Sequence, residues 1–190
     1  MAYYRAAQEV LHDLSIAAFW KGESMVRQPF LEALLDVYYG EQFGEAFFEA
    51  LLPHAVDDEE RYILGSLLQL ESEGKTVMRP VLAKLGLSLD EDASSRPRGV
   101  STAQMLRDMS WTEKFAAMAE GIRAKGLPQY EELATLVTAD EDTEAFALAN
   151  FMAKHERAIL AASENIVAGT QDPIAPVVEI LHFPLIKAKA

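Results

Sequence analysis

Two residues of this chain carry acid-base or metal-binding chemistry at positions whose spacing takes them out of water: Glu71 and His155. Each interrupts an apolar seam of alternating three- and four-residue steps. Glu71 falls within Leu64, Leu67, Gly74, Met78, Val81 and Leu85, and His155 within Ala145, Leu148, Met152, Ile159, Ala162 and Ile166. On a helix of 3.6 residues per turn such steps draw one stripe, and that stripe faces other helices. A lone buried charge is costly, so both intruders are expected to be partnered. Each sits near the middle of its seam, and antiparallel helices would bring them to one depth. The pair is then expected to hold the imidazole protonated and the carboxylate ionised, each charge favouring the other.

Gly74, one turn after Glu71, removes side-chain volume beside the carboxylate, and Met152 lies one turn before His155. Glu71, His155, Gly74 and Met152 are the candidate ligand-binding residues, and Glu71 with His155 the candidate metal ligands. No residue is assigned a catalytic role. Glu156 is offset by about 100° from His155 and is expected at a helix boundary. Glu45, Glu49, Glu113 and Glu120 read as solvated flank positions, and His54 and His182 as exposed.

The elements that position these residues read as helices throughout. Tyr3 to Trp20 forms a first helix, and Pro29 opens a second that Gly40 ends at Tyr39. A third runs from Glu41 to Leu52 and stops at Pro53. The first long helix spans Asp57 to Leu85, and Pro80 within it withdraws one backbone donor. Residues 88–100 read as a surface loop. Thr102 to Lys125 is helical and broken by Gly126 and Pro128, a short helix follows to Val137, and the second long helix runs from Asp140 to Gly169. Pro176 to Phe183 forms a last short helix. No alternating run argues for a strand. The expected fold is all-α, one domain over residues 1–190, a four-helix bundle with additional short helices.

Composition narrows the function classes. Half of the 190 residues are hydrophobic, enough for a single substantial core. The chain has no cysteine, which removes disulfides, thiolate metal sites and thiol nucleophiles, and fits a reducing, cytoplasmic setting. Its net charge of −13 repels phosphate backbones and anionic lipid, so neither nucleic acid nor membrane is an expected partner. The acidic clusters Asp57–Glu60 and Asp140–Glu144 fall where helices start, where acids cap free N–H groups. No apolar run has the length of a membrane span, and the first residues lack a secretory signal. Phosphate loops and nucleophile elbows are absent from the sequence.

The long helices, the long connection between the second and third of four, and the inward polar residues resemble the ferritin-like bundle, whose diiron members use two Glu-x-x-His motifs and two further glutamates. The motif is broken twice here: Glu71 is followed at its spacing by Gly74, and His155 is preceded by Met152. The intact match is Glu9 with His12. A second resemblance, carried by Gln28-Pro29-Phe30-Leu31-Glu32-Ala33-Leu34 and Leu85-Gly86-Leu87, is to haem-oxygenase-like bundles, and it implies roles for His12 or Glu71. These resemblances leave three readings open. The first is a small-ligand-binding or accessory protein without metal, built on the Glu71/His155 spot. The second is a metal- or substrate-dependent enzyme, with iron or manganese as the implied cofactor. The third is a structural homodimer held by apolar surface on Phe43–Leu51 and Val177–Leu181.

Overall fold

A computed structural model describes residues 26–187. The described chain is all-helical: α1 (Gln28–Leu51), α2 (Asp58–Lys84), α3 (Ser95–Leu106), α4 (Trp111–Gly121), α5 (Leu127–Thr135), α6 (Thr143–Ala168) and α7 (Ala175–Val178). A 3-10 turn at Leu52–His54 follows α1, and a π-helical stretch at Ile122–Gly126 joins α4 to α5. The expected first helix, with Glu9, His12 and Trp20, lies outside the described residues. None of the described helices is long and apolar enough to cross a membrane.

Local chemistry sets the ends of the long helices. Asp57 caps α2 by accepting from the Glu60 amide at 2.8 Å, while the Glu60 carboxylate accepts from the Val56 amide at 2.9 Å. Asp142 caps α6 by accepting from the amides of Glu144 and Ala145 at 3.0 Å each. Both helices close on a glycine at positive φ, Gly86 at +72° and Gly169 at +65°, a conformation that costs other residues a Cβ clash. Lys84, at the end of α2, reaches Asp142 at the start of α6 at 3.0 Å, so these two helices run antiparallel.

Along α1, α2 and α6 the burial falls into three layers. Phe30, Leu34, Met78, Leu82, Leu148 and Met152 belong to one apolar cluster. Phe47, Leu51, Leu64, Leu67, Ile159 and Ala162 belong to another. Between them each helix contributes polar groups to the same level: Glu41 on α1, Glu71 on α2, and His155 with Glu156 on α6, all buried. The two cores hold the three helices in register, and the polar layer sits between them.

Several boundaries differ from the sequence reading. Gly40 does not end a helix; α1 runs through it to Leu51. Only the first part of residues 88–100 is loop, because α3 begins at Ser95. Pro97 falls in the first turn, where no amide partner is lost. Gly99 lets α3 lie directly on α1, where a Cβ would stand 2.4 Å from the Phe43 carbonyl. The connection before it is pinned by buried Gln42, which donates to the Asp90 carbonyl at 3.3 Å and accepts from the Asp92 amide at 2.7 Å. The helix expected from Thr102 to Lys125 is interrupted after Leu106 and restarted by a capping box, Ser110 with Glu113. Gly126 and Pro128 then fail to break it, since the π turn carries the chain onward and Pro128 occupies the first turn of α5. The last helix is shorter than expected. On the two segments expected to leave apolar surface for a homodimer, Phe47, Phe48, Leu51, Val177, Ile180 and Leu181 are buried within the chain, while Phe43 is half-buried.

Candidate functional site

The polar layer brings three ionisable side chains to one point. One donor atom each from Glu41, Glu71 and His155 lies within 4.8 Å of the other two, and all three residues are buried. Glu41 Oε2 is 3.3 Å from His155 Nε2, which lies 3.4 Å from the Leu70 carbonyl. Tyr130, from α5, donates its hydroxyl to Glu41 Oε1 at 2.6 Å.

Glycines make this convergence sterically possible. A Cβ on Gly74 would stand 1.9 Å from Glu41 Oε2, and a Cβ on Gly44 would stand 2.3 Å from the Glu71 carboxyl. Each helix of the α1–α2 pair therefore offers a glutamate and, three residues later, the hollow that receives the other's glutamate. Gly40 serves Tyr130 the same way, its Cβ position being 2.8 Å from the phenol oxygen. The helix-propensity penalty of about 1 kcal/mol per glycine is offset by room for groups that alanine would exclude.

The electrostatics of the layer are those of desolvated acids. Burial, then the neighbouring carboxylates, push Glu71 well above the usual range. Burial also raises Glu41, against the Tyr130 hydrogen bond that lowers it. Burial drives the His155 imidazole down to about 4 and raises Glu156 to about 7. Lys75, whose charge partly offsets the rise of both Glu41 and Glu71, is ion-paired with Glu45 at 2.5 Å, and Arg96 holds the same carboxylate at 2.8 Å. Hydrogen bonding is incomplete at the centre: Glu41 Oε2 and His155 Nδ1 are buried without a hydrogen bond among the described residues.

A cavity of about 550 Å³ opens beside this layer, walled in part by Phe43, Gly44, Phe47, Glu71, Tyr130 and Glu156. That volume lies within the range of small-molecule pockets. The π stretch contributes Ile122 and Gly126 to the wall, and a Cβ on Gly126 would stand 2.0 Å from Glu156 Oε1.

No protein-family model matches the chain, and no curated protein or solved structure is significantly similar to it. The site therefore has to be read from its own residues.

The structure places Glu71 and His155 in one cluster, yet the carboxylate facing His155 most closely is Glu41. The hollow at Gly74 receives Glu41 and not Glu71. Met152 is fully buried in an apolar cluster, and neither it nor Gly74 is on the cavity wall. Burial, against the hydrogen bond to the Leu70 carbonyl, pushes the His155 imidazole down to about 4, opposite to the protonated form expected. Glu156, expected at a helix boundary, is buried on the cavity wall. Glu45, expected to be solvated, is half-buried and ion-paired, while Glu49, Glu113 and Glu120 are exposed. His54 is exposed. His182 is exposed too, with Nδ1 3.1 Å from Glu73.

Sequence reasoning missed Glu41 and Tyr130. A helix end at Gly40 turned Glu41 into a first-turn acid, a solvated position. The signal that finds it is the repeated spacing Glu41-x-x-Gly44 and Glu71-x-x-Gly74 on consecutive helices. Tyr130 had no such pattern.

Proposed function

We propose that this protein is a metal-dependent small-molecule-binding protein, with a single transition-metal dication held by Glu41, Glu71 and His155 beside the cavity. The observation that supports this most is the convergence of two carboxylates and a neutral imidazole, from three helices, at one buried point. The three donor atoms lie within 4.8 Å of one another, near enough for side-chain adjustment to bring them onto one first-row dication at about 2.1 Å each. A divalent ion would stabilise both carboxylates in their ionised form and take the lone pair that a neutral imidazole offers. Mixed oxygen and nitrogen donors, without sulfur, suit iron or manganese.

Three protein ligands leave coordination positions open, the arrangement of a metal that meets a substrate. When bound, the ion supplies Lewis acidity toward a molecule in the cavity. The protein's own residues do the rest. Glu71 belongs both to the ligand set and to the cavity wall, so a bound molecule reaches the centre from that side. Tyr130 holds one Glu41 oxygen and directs the other toward His155. In this reading the chain is a ferritin-like bundle in which Glu41 supplies the carboxylate missing at Met152.

The test is metal content. Protein stripped with chelator, incubated anaerobically with Fe(II) or Mn(II) and desalted should retain a single ion per chain. Glu41→Ala, Glu71→Ala and His155→Ala should each lose it while keeping their helical circular dichroism. A wild-type chain that retains no ion, or variants that retain as much as wild type, would overturn the proposal.

A further inference from the structure

Glu156 has no part in the metal centre, and its surroundings specify a ligand of their own. It is 8% exposed, and no hydrogen-bond or ion-pair partner for it is found among the described residues. It lines the cavity, and Gly126 in the π stretch leaves the hollow in which its Oε1 sits. A buried carboxylate without a partner is costly, so a protein that keeps one beside an open cavity has a use for it.

The rest of the wall says what that use is. Phe43, Phe47, Phe48, Tyr39 and Tyr130 give it aromatic faces, and Ile159 adds apolar area. Among the described residues the wall carries four carboxylates, Asp36, Glu71, Asp92 and Glu156, and one cation, Arg98. Arg98 is exposed and stands 5.7 Å over the Phe43 ring, so it lies toward solvent. An anionic ligand would meet like charge at the buried end. A neutral one would leave Glu156 unpaired. Aromatic faces beside a buried carboxylate attract an organic cation.

We infer that the cavity takes a primary or quaternary amine with an apolar body, its ammonium group paired with Glu156 and its body against the phenylalanines. This rests on the reading of the cavity as a ligand site, and not on the metal. The ammonium forms a charge-assisted contact with a carboxylate that has no competing partner, and burial of the apolar body supplies the remaining affinity.

Three probes of one shape separate the alternatives: 1-naphthylmethylamine, 1-naphthylmethanol and 1-naphthylacetate, titrated calorimetrically into the full chain at pH 8. Metal-free and metal-loaded protein are measured separately. The amine is expected to bind at least about tenfold more tightly than the alcohol, a difference of about 1.4 kcal/mol, and the carboxylate most weakly. Trimethyl(naphthylmethyl)ammonium, which cannot coordinate a metal, should keep the preference. In Glu156→Gln the amine should fall to the affinity of the alcohol while the alcohol is unchanged, which also reports that the cavity is intact. Alcohol or carboxylate binding as tightly as the amine, or amine binding indifferent to Glu156→Gln, would overturn the inference and leave a ligand cavity standing. Absence of binding by every probe would overturn both.

Discussion

At the scale of single residues, the polar layer is governed by desolvation. His155 and Glu41 stand 3.3 Å apart, close enough for an ion pair, yet burial favours the neutral form of both. This sets a pH dependence for the metal-free protein. The His155 pKa falls from 6.5 to about 4 on folding, so the unfolded chain takes up that proton first and stability is lost as pH falls from 6.5. Glu156 rises from 4.5 to about 7, so the folded chain keeps a proton that the unfolded chain has released, and stability is lost as pH rises from 4.5 to 7. Glu41 and Glu71 act in the same direction as Glu156. Three carboxyl groups outweigh one imidazole. The acids whose pKa is depressed, such as Glu45 and Asp142, exert their effect below 4.5 and do not oppose this trend. The melting temperature of chelator-treated protein should therefore decline between pH 5 and pH 8, and Glu156→Gln should flatten the decline. A melting temperature that rises across that window would contradict the neutral layer.

At the scale of elements, α1 and α2 are fitted to one another by exchange of a carboxyl group for a missing side chain. Gly74→Ala places a methyl 1.9 Å from Oε2 of Glu41, a fully buried side chain whose other oxygen is held by Tyr130 at 2.6 Å. The variant should be destabilised by about 1–3 kcal/mol, although alanine is the better helix former. In the background Glu41→Ala the obstacle is gone, and the same substitution should become neutral or stabilising, a reversal that urea denaturation can read. Equal cost in both backgrounds would show that the two positions are not coupled. The long helices α2 and α6 were legible because an apolar period over seven turns, an Asp cap and a terminal glycine all agree. Shorter pieces were not, because single residues carry two meanings. Gly40 and Gly126 read as terminators, yet each is a hollow for a polar group from another helix, which only the tertiary partner reveals. Ser110 with Glu113 is a capping box that the apolar register of Trp111 and Phe115 concealed.

At the scale of the whole molecule, two apolar clusters clamp a polar layer, and the chain's acidity continues into its interior. A net charge of −13 with carboxyl groups at the centre accords with the two cationic ligands proposed, a metal ion and an amine. Two of the three residues at the centre could be read from sequence: Glu71 and His155 interrupt apolar seams and so declare themselves buried. Glu41 did not, because it lies in a stretch where Gln42, Gly44 and Glu45 dilute the period. The most direct test of a metal centre in this layer is anomalous diffraction from crystals of the full chain grown with Mn(II) or Fe(II), recorded at the metal edge. One strong peak is expected among the Glu41 and Glu71 carboxylates and the His155 imidazole. No peak there, or density only at surface clusters such as Asp57–Glu60, would contradict it.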